Sequence, residues 1–400
     1  MTAVILSFIG VSIGSLWMLS LVGITIPQVG NLFQIHKTIQ LEGFLTVLIM
    51  GVGYMIIPRF RNMLIPSKKL VIVSFLLVVA SVALQSAEQM MGYDDQLYPN
   101  VIRLGGILIF AGLSFYTMRI VPKLLKEADY FLMISISMLI AVHILPFFGV
   151  QQSGSLNWVQ MWFLFPIMTI FGVQYKTLPS FAGFLRPRKA LTITCLASAS
   201  LAGAVGLCSA FYKSVILSVS FDVLVLASVA AFALSVYIYG GFDNREIKQL
   251  MTKEKKARYD TITRHTRIGT SFLLAGFALG ILHYVHGSFF LFYDLAIHFV
   301  AIGFIGVTIM LFLPLMLPPI TGKSIEFQKL NKVPLVLILS ALALRALGDY
   351  AIAESAEGYV TMVLGVSGLV ILAAMILFVR MIHKSMQDTP SINVEFKKKQ

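Results

Sequence analysis

The sequence predicts an all-α fold, a polytopic membrane bundle of about twelve transmembrane helices. Composition gives the first reason: 58% of the 400 residues are hydrophobic, only 12% are charged and the mean hydropathy is +0.87, so the chain's main solvent is lipid. The second is that apolar windows of about 20 residues recur along the whole chain, broken by charge clusters, Pro and Gly. The third is the alternation of strongly basic and nearly base-free connections, the signature of a chain that crosses a bilayer repeatedly.

The windows fall at 3–26, 36–58, 70–87, 101–121, 130–149, 157–179, 190–210, 215–240, 267–289, 294–318, 333–353 and 359–381. Together they define one transmembrane domain over 1–384, followed by a basic tail at 385–400. The first window has no basic stretch before it and no small-residue cleavage site, and is read as a retained span. Cys195 and Cys208 share one window and lie about 20 Å apart along a helix, too far for a disulfide. No Cys-x-x-Cys-His occurs, which excludes covalently attached c-type haem.

Lys and Arg remain on the cytoplasmic side of spans. All but four of the 31, the exceptions being Lys37, Arg103, Lys213 and Arg345, fall in segments that follow even-numbered helices. Both termini are therefore expected to be cytoplasmic. The net charge of +13 follows from this asymmetry, so no nucleic-acid partner is indicated. The loop 245–267 and the terminal lysines read as a solvated, lipid-facing surface. Helices 2, 4, 6 and 10 end alike, with a glycine in mid-helix and a proline near the exit, a pattern of close packing followed by a stop.

With this orientation, five of the seven histidines, His36, His143, His283, His286 and His298, form one layer in the outer half of the membrane. His36 lies 22 residues before Pro58 and His298 lies 20 before Pro318, about 30 Å of helix each. Intramembrane ionisable groups are costly and face a partner or cofactor. Two imidazoles on different helices at one depth suit an axial pair for haem iron. His283 and His286 share a helical face and, with His143, suit a second metal such as copper. For any single histidine, a structural hydrogen bond is the competing reading.

Arg345 pairs either with Asp349, four residues on, or with an anionic group such as a haem propionate. Asp294, one turn before His298, is placed either to fix that imidazole's tautomer or as an ordinary acid at the span's edge. Glu42 and Asp222 lie deeper and are read as hydrogen-bonded to backbone or water, with a proton path as the alternative. Trp158 and Tyr98 read as interface anchors.

On helix 2, His36, Gly43, Phe44, Gly51, Pro58 and Phe60 fall in one register. On helix 10, "HFVAIGFIG" from His298 is followed by "PPITGK" from Pro318, with Gly303, Ile305, Gly306, Thr321, Gly322 and Lys323 in place. These stretches resemble the NnrS family of haem- and copper-containing membrane proteins, linked to nitric oxide and nitrosative stress and similar in architecture to subunit I of the haem-copper oxidases. The two stretches cover about fifty residues. The chain departs from the family pattern at Thr38, Ile39 and Ile320, where the family has His, Glu and His, which weakens the copper site more than the haem. In the oxidases a low-spin haem is held by histidines of helices 2 and 10 and copper by helices 6 and 7. The latter carry no His here, so oxygen reduction is not expected.

The resemblance implies a b-type haem held by His36 and His298 near the outer leaflet of a prokaryotic inner (plasma) membrane. Such a haem serves electron transfer from a quinol or redox-protein donor, or binding of nitric oxide; whether the protein is an enzyme stays open. Two other classes compete. A twelve-helix secondary transporter predicts substrate-binding polarity at the midplane, and a scaffold subunit of a respiratory complex predicts the fold without the metals.

Overall fold

In a computed structural model of the chain, the residues described are 2–21, 23–25, 30–93, 96–119, 125–150, 155–240, 252–287, 290–320, 332–354 and 362–386. Most of the tail, residues 245–251 of the basic loop and Thr321 to Lys323 of the second motif lie outside them. Among the described residues, twelve helices are long and apolar enough to cross a membrane. They are α1 (Thr2–Leu21), α2 (Leu32–Phe60), α3 (Lys68–Met90), α4 (Leu97–Met118), α5 (Glu127–Phe148), α6 (Leu156–Ala182), α7 (Lys189–Tyr212), α8 (Val215–Ser235), α9 (Lys255–His286), α10 (Phe290–Pro318), α11 (Val333–Ala353) and α12 (Met362–Ser385). No strand occurs among the described residues.

The expected spans are all present, with two instructive shifts. α9 begins well before residue 267, because the basic segment from 253 onward is already helical, burying Tyr259 and Ile262. α2 begins at Leu32, before the apolar run, capped by the side chain of Asn31, which accepts from the Gln34 N–H.

Neighbours in sequence pack as antiparallel pairs, α3 with α4, α5 with α6, α7 with α8 and α11 with α12, and α1 closes the bundle by packing on both α2 and α12. Side chains such as Ile72, Leu76, Ile193, Leu201 and Ile216 stay exposed on the outside. A belt of this kind is what a hydrocarbon solvent requires. The chain is thus a multi-pass membrane bundle in contact with lipid.

Three helices stand apart. In α2, α6 and α10 the buried share of the apolar window is 72%, 89% and 56%, against 50% or less in every other span. These helices, spaced four apart in the chain, also hold the π-helical segments Ile39–Leu45, Leu178–Ala182 and Phe299–Gly306. π-Helical turns are uncommon and concentrate at functional sites. α6 forms the central post, with Trp162, Phe163 and Phe165 sealed from solvent.

Candidate cofactor site

Two of these π-helical segments sit beside the two axial candidates. His36 precedes Ile39–Leu45 by three residues, and His298 abuts Phe299–Gly306. Both histidines line one predominantly apolar cavity of about 190 Å³, walled by Phe44 and Phe163 with Met18, Met310 and Met375. Arg345 and Asp294 line it as well.

Each imidazole is oriented through Nδ1. His36 Nδ1 lies 2.7 Å from the Gly10 carbonyl oxygen on α1. A carbonyl only accepts, so Nδ1 carries the proton and Nε2 the lone pair. Gly14 makes the approach possible, since a Cβ there would stand 2.5 Å from the His36 ring. His298 Nδ1 lies 2.8 Å from the Asp294 carbonyl oxygen and 3.3 Å from its carboxylate Oδ1. The same tautomer follows.

Arg345 donates to both oxygens of Asp294, from Nε to Oδ2 and from Nη2 to Oδ1 at 2.7 Å. Of the two partners weighed for Arg345, Asp349 is therefore not the one it holds. Asp349 is sealed from solvent and neither of its oxygens accepts a hydrogen bond. Asp294 is no edge acid but a buried hinge between the His298 ring and the guanidinium.

The other three histidines are not brought together. His143, on α5, is buried with Nδ1 2.7 Å from the Leu139 carbonyl oxygen and Nε2 2.8 Å from Glu42 Oε2. His283 is buried against Tyr293, with ring centroids 5.9 Å apart, while His286 is exposed. Among the described residues no group of three or more His, Cys, Asp or Glu side chains is placed to hold one metal ion.

Two features escape a reading of the sequence. Glu42 is bonded neither to backbone nor to water alone: it meets His143 and faces Arg103 at 3.6 Å. Arg103, counted among the outer cations, is sealed in the bundle, where it donates to Ser81 Oγ at 3.3 Å and to Gln85 Oε1. Its position inside an apolar window was the available signal. Trp158 is buried rather than an interface anchor, with the Lys37 ammonium 4.7 Å from its ring centroid, whereas Tyr98 is exposed.

The residues present suit haem: two imidazoles lining one cavity, each with Nδ1 given to a backbone carbonyl, apolar walls, and an arginine for an acidic edge. The cavity is smaller than the ~300–1,000 Å³ usual for ligand sites, so a porphyrin requires the flexible methionine walls to move aside. Comparison with protein-family models finds no match for this chain, and comparison with curated proteins finds none either.

Proposed function

We propose that this protein is a haem-binding integral membrane protein of the NnrS type, with both termini cytoplasmic in a prokaryotic plasma membrane. In this reading it serves electron transfer or nitric oxide binding. One observation carries it: His36 and His298 line the same apolar cavity, each with Nδ1 committed to a backbone carbonyl. An axial ligand needs this arrangement, because the outer hydrogen bond fixes both the tautomer and the ring plane. The occurrence of π-helical turns beside both histidines, and the central position of α2, α6 and α10, support it further.

Within the site, α1 holds His36 through Gly10, and Asp294 holds His298 while neutralising Arg345. Arg345 keeps its remaining N–H groups for an acidic substituent of the ligand. Phe44, Phe163 and the methionines exclude water, which favours the apolar macrocycle of such a ligand. When bound, a b-type haem supplies one-electron redox chemistry, or a gas-binding iron if one axial position is labile. A quinol or a soluble redox protein is the donor class such a haem takes. Copper draws no added support from the placement of His143, His283 and His286.

The test is an absorption spectrum of the purified protein, oxidised and reduced, after expression with added haem. A Soret band is expected, lost in His36→Ala and in His298→Ala while helical circular dichroism is retained. Absence of any Soret band from the unaltered protein would overturn the reading.

A further inference from the structure

Asp222 on α8 is a carboxyl group that the cofactor site does not use. It is sealed from solvent about two turns, ~10 Å, from the start of its helix. Among the described residues it has no ion-pair partner, and neither of its oxygens accepts a hydrogen bond.

Three helices contribute to its surroundings. α9 brings Gly280, where a Cβ would stand 2.6 Å from Asp222 Oδ2 and 2.2 Å from Gln160 Nε2. One turn on, the Tyr284 hydroxyl donates to Gln160 Oε1 at 3.4 Å. α6 brings Gln160 itself, buried beside the carboxyl group with no acceptor for its Nε2. α7 packs along α8 and brings Ser209, whose hydroxyl is 2.8 Å from that of Ser218, one turn before Asp222. The nearest ionisable groups are Tyr284 and, beyond it, Tyr293, against which His283 packs; Lys213 at the α7–α8 corner is exposed. The undescribed residues that precede α6 and follow α9 in the chain, 151–154 and 288–289, include no charged side chain.

An isolated ionised carboxylate in an apolar interior is so unfavourable that the group takes a proton instead. A bound cation is the other way to cancel the charge, and the local arrangement opposes it. Gln160 Oε1 is engaged by Tyr284, so the amide N–H groups face Asp222 and a cation there would meet donors. The hydroxyls suit a proton, since each both donates and accepts. Ser218 shares a helical face with Asp222, lies beside Tyr284 and reaches the Ser214 carbonyl at 3.2 Å, at the half-buried start of α8. Farther along α8, Ser228 lies beyond the sealed Val225 and donates to the Cys195 carbonyl at 3.0 Å.

We propose that Asp222 is a proton-binding site within the membrane domain, loaded and unloaded by way of Ser218, Ser209 and Tyr284. The route opens at the end of the bundle where α7 joins α8, the outer face in the orientation given above. In each transfer one O–H bond breaks as the next forms, water at the surface supplies or takes the last proton, and no electron moves. The site is independent of haem.

The test is infrared difference spectroscopy of the purified full-length protein in lipid, unaltered minus Asp222→Asn, so that the bands of the other acids cancel. A carbonyl band of a protonated carboxyl group is expected, and it should move to lower frequency when heavy water replaces ordinary water. Ser218→Ala should slow that shift by about tenfold or more, equivalent to ~1.4 kcal/mol of barrier. Ser228→Ala should leave it unchanged. If circular dichroism shows Asp222→Asn to be unfolded, Asp222→Glu, which displaces the band, takes its place. No such band, a band indifferent to heavy water, a band removed by sodium at constant pH, or equal exchange rates in the two serine variants would overturn the proposal.

Discussion

The guanidinium of Arg345 on α11 and the carboxylate of Asp294 on α10 form a two-point buried ion pair, with Nη2 2.7 Å from Oδ1. The carboxylate is also 3.3 Å from the Nδ1 of His298, so one acid fixes both a cation and a ring. Removing the arginine strands a buried charge, and breaking such a pair costs about 3–5 kcal/mol. Arg345→Met is expected to lower unfolding free energy by that order, and Arg345→Met with Asp294→Asn to recover most of the loss. Equilibrium denaturation of the purified variants checks this. A double variant no more stable than the single one would show that the pair is not the source.

A methyl group at Gly14 tests the other ring without touching it. The Cβ of Gly14→Ala would stand 2.5 Å from two atoms of the His36 imidazole, so the ring must turn away and lose its bond to the Gly10 carbonyl. Haem content per protein is expected to fall at least severalfold, although alanine is favoured over glycine in a helix by about 1 kcal/mol. Gly51→Ala on α2, where a Cβ meets nothing within 4 Å, should keep its haem. Soret absorbance normalised to protein concentration distinguishes the two.

The trio Glu42, Arg103 and His143 makes a separate prediction. Arg103 is sealed from solvent and its only carboxylate among the described residues is Glu42. Glu42→Ala is expected to destabilise by about 3–5 kcal/mol, whereas His143→Phe, which removes one hydrogen-bonded partner and leaves the carboxylate facing Arg103, should cost about 1–3 kcal/mol. Thermal or denaturant unfolding ranks them. The reverse order would mean that His143, rather than Arg103, holds Glu42 in place.

These clusters show what the linear chain discloses. Twelve spans are legible because a bilayer demands an apolar window of about 20 residues for each crossing, and the depth of His36 and His298 follows from counting turns. Asp294 and His298 are legible as partners because they are four residues apart on one helix. The same spacing rule pointed from Arg345 to Asp349, and there tertiary packing won: the facing carboxylate of α10 offers two acceptors in one plane. Glu42 and His143 are 101 residues apart, and no local pattern relates them. Nor does periodicity announce a π-helical turn, since the apolar runs around Ile39–Leu45 and Phe299–Gly306 are hydrophobic on most sides and fit either winding.

Orientation is the remaining consequence of the charge pattern. Leu64, 90% exposed between α2 and α3, lies at the basic end, and Phe148, 69% exposed at the close of α5, lies at the other. With Cys195 and Cys208 replaced by serine and alanine, Leu64→Cys and Phe148→Cys each provide a single accessible thiol. Loops rich in Lys and Arg stay on the cytoplasmic side, so a membrane-impermeant maleimide should label Phe148→Cys in intact cells and Leu64→Cys only after permeabilisation. The opposite pattern would invert the bundle and move the His36 and His298 cavity to the cytoplasmic leaflet. An electron donor on the outer side would then be excluded, and the basic loops would need a reason for crossing the membrane against the usual bias.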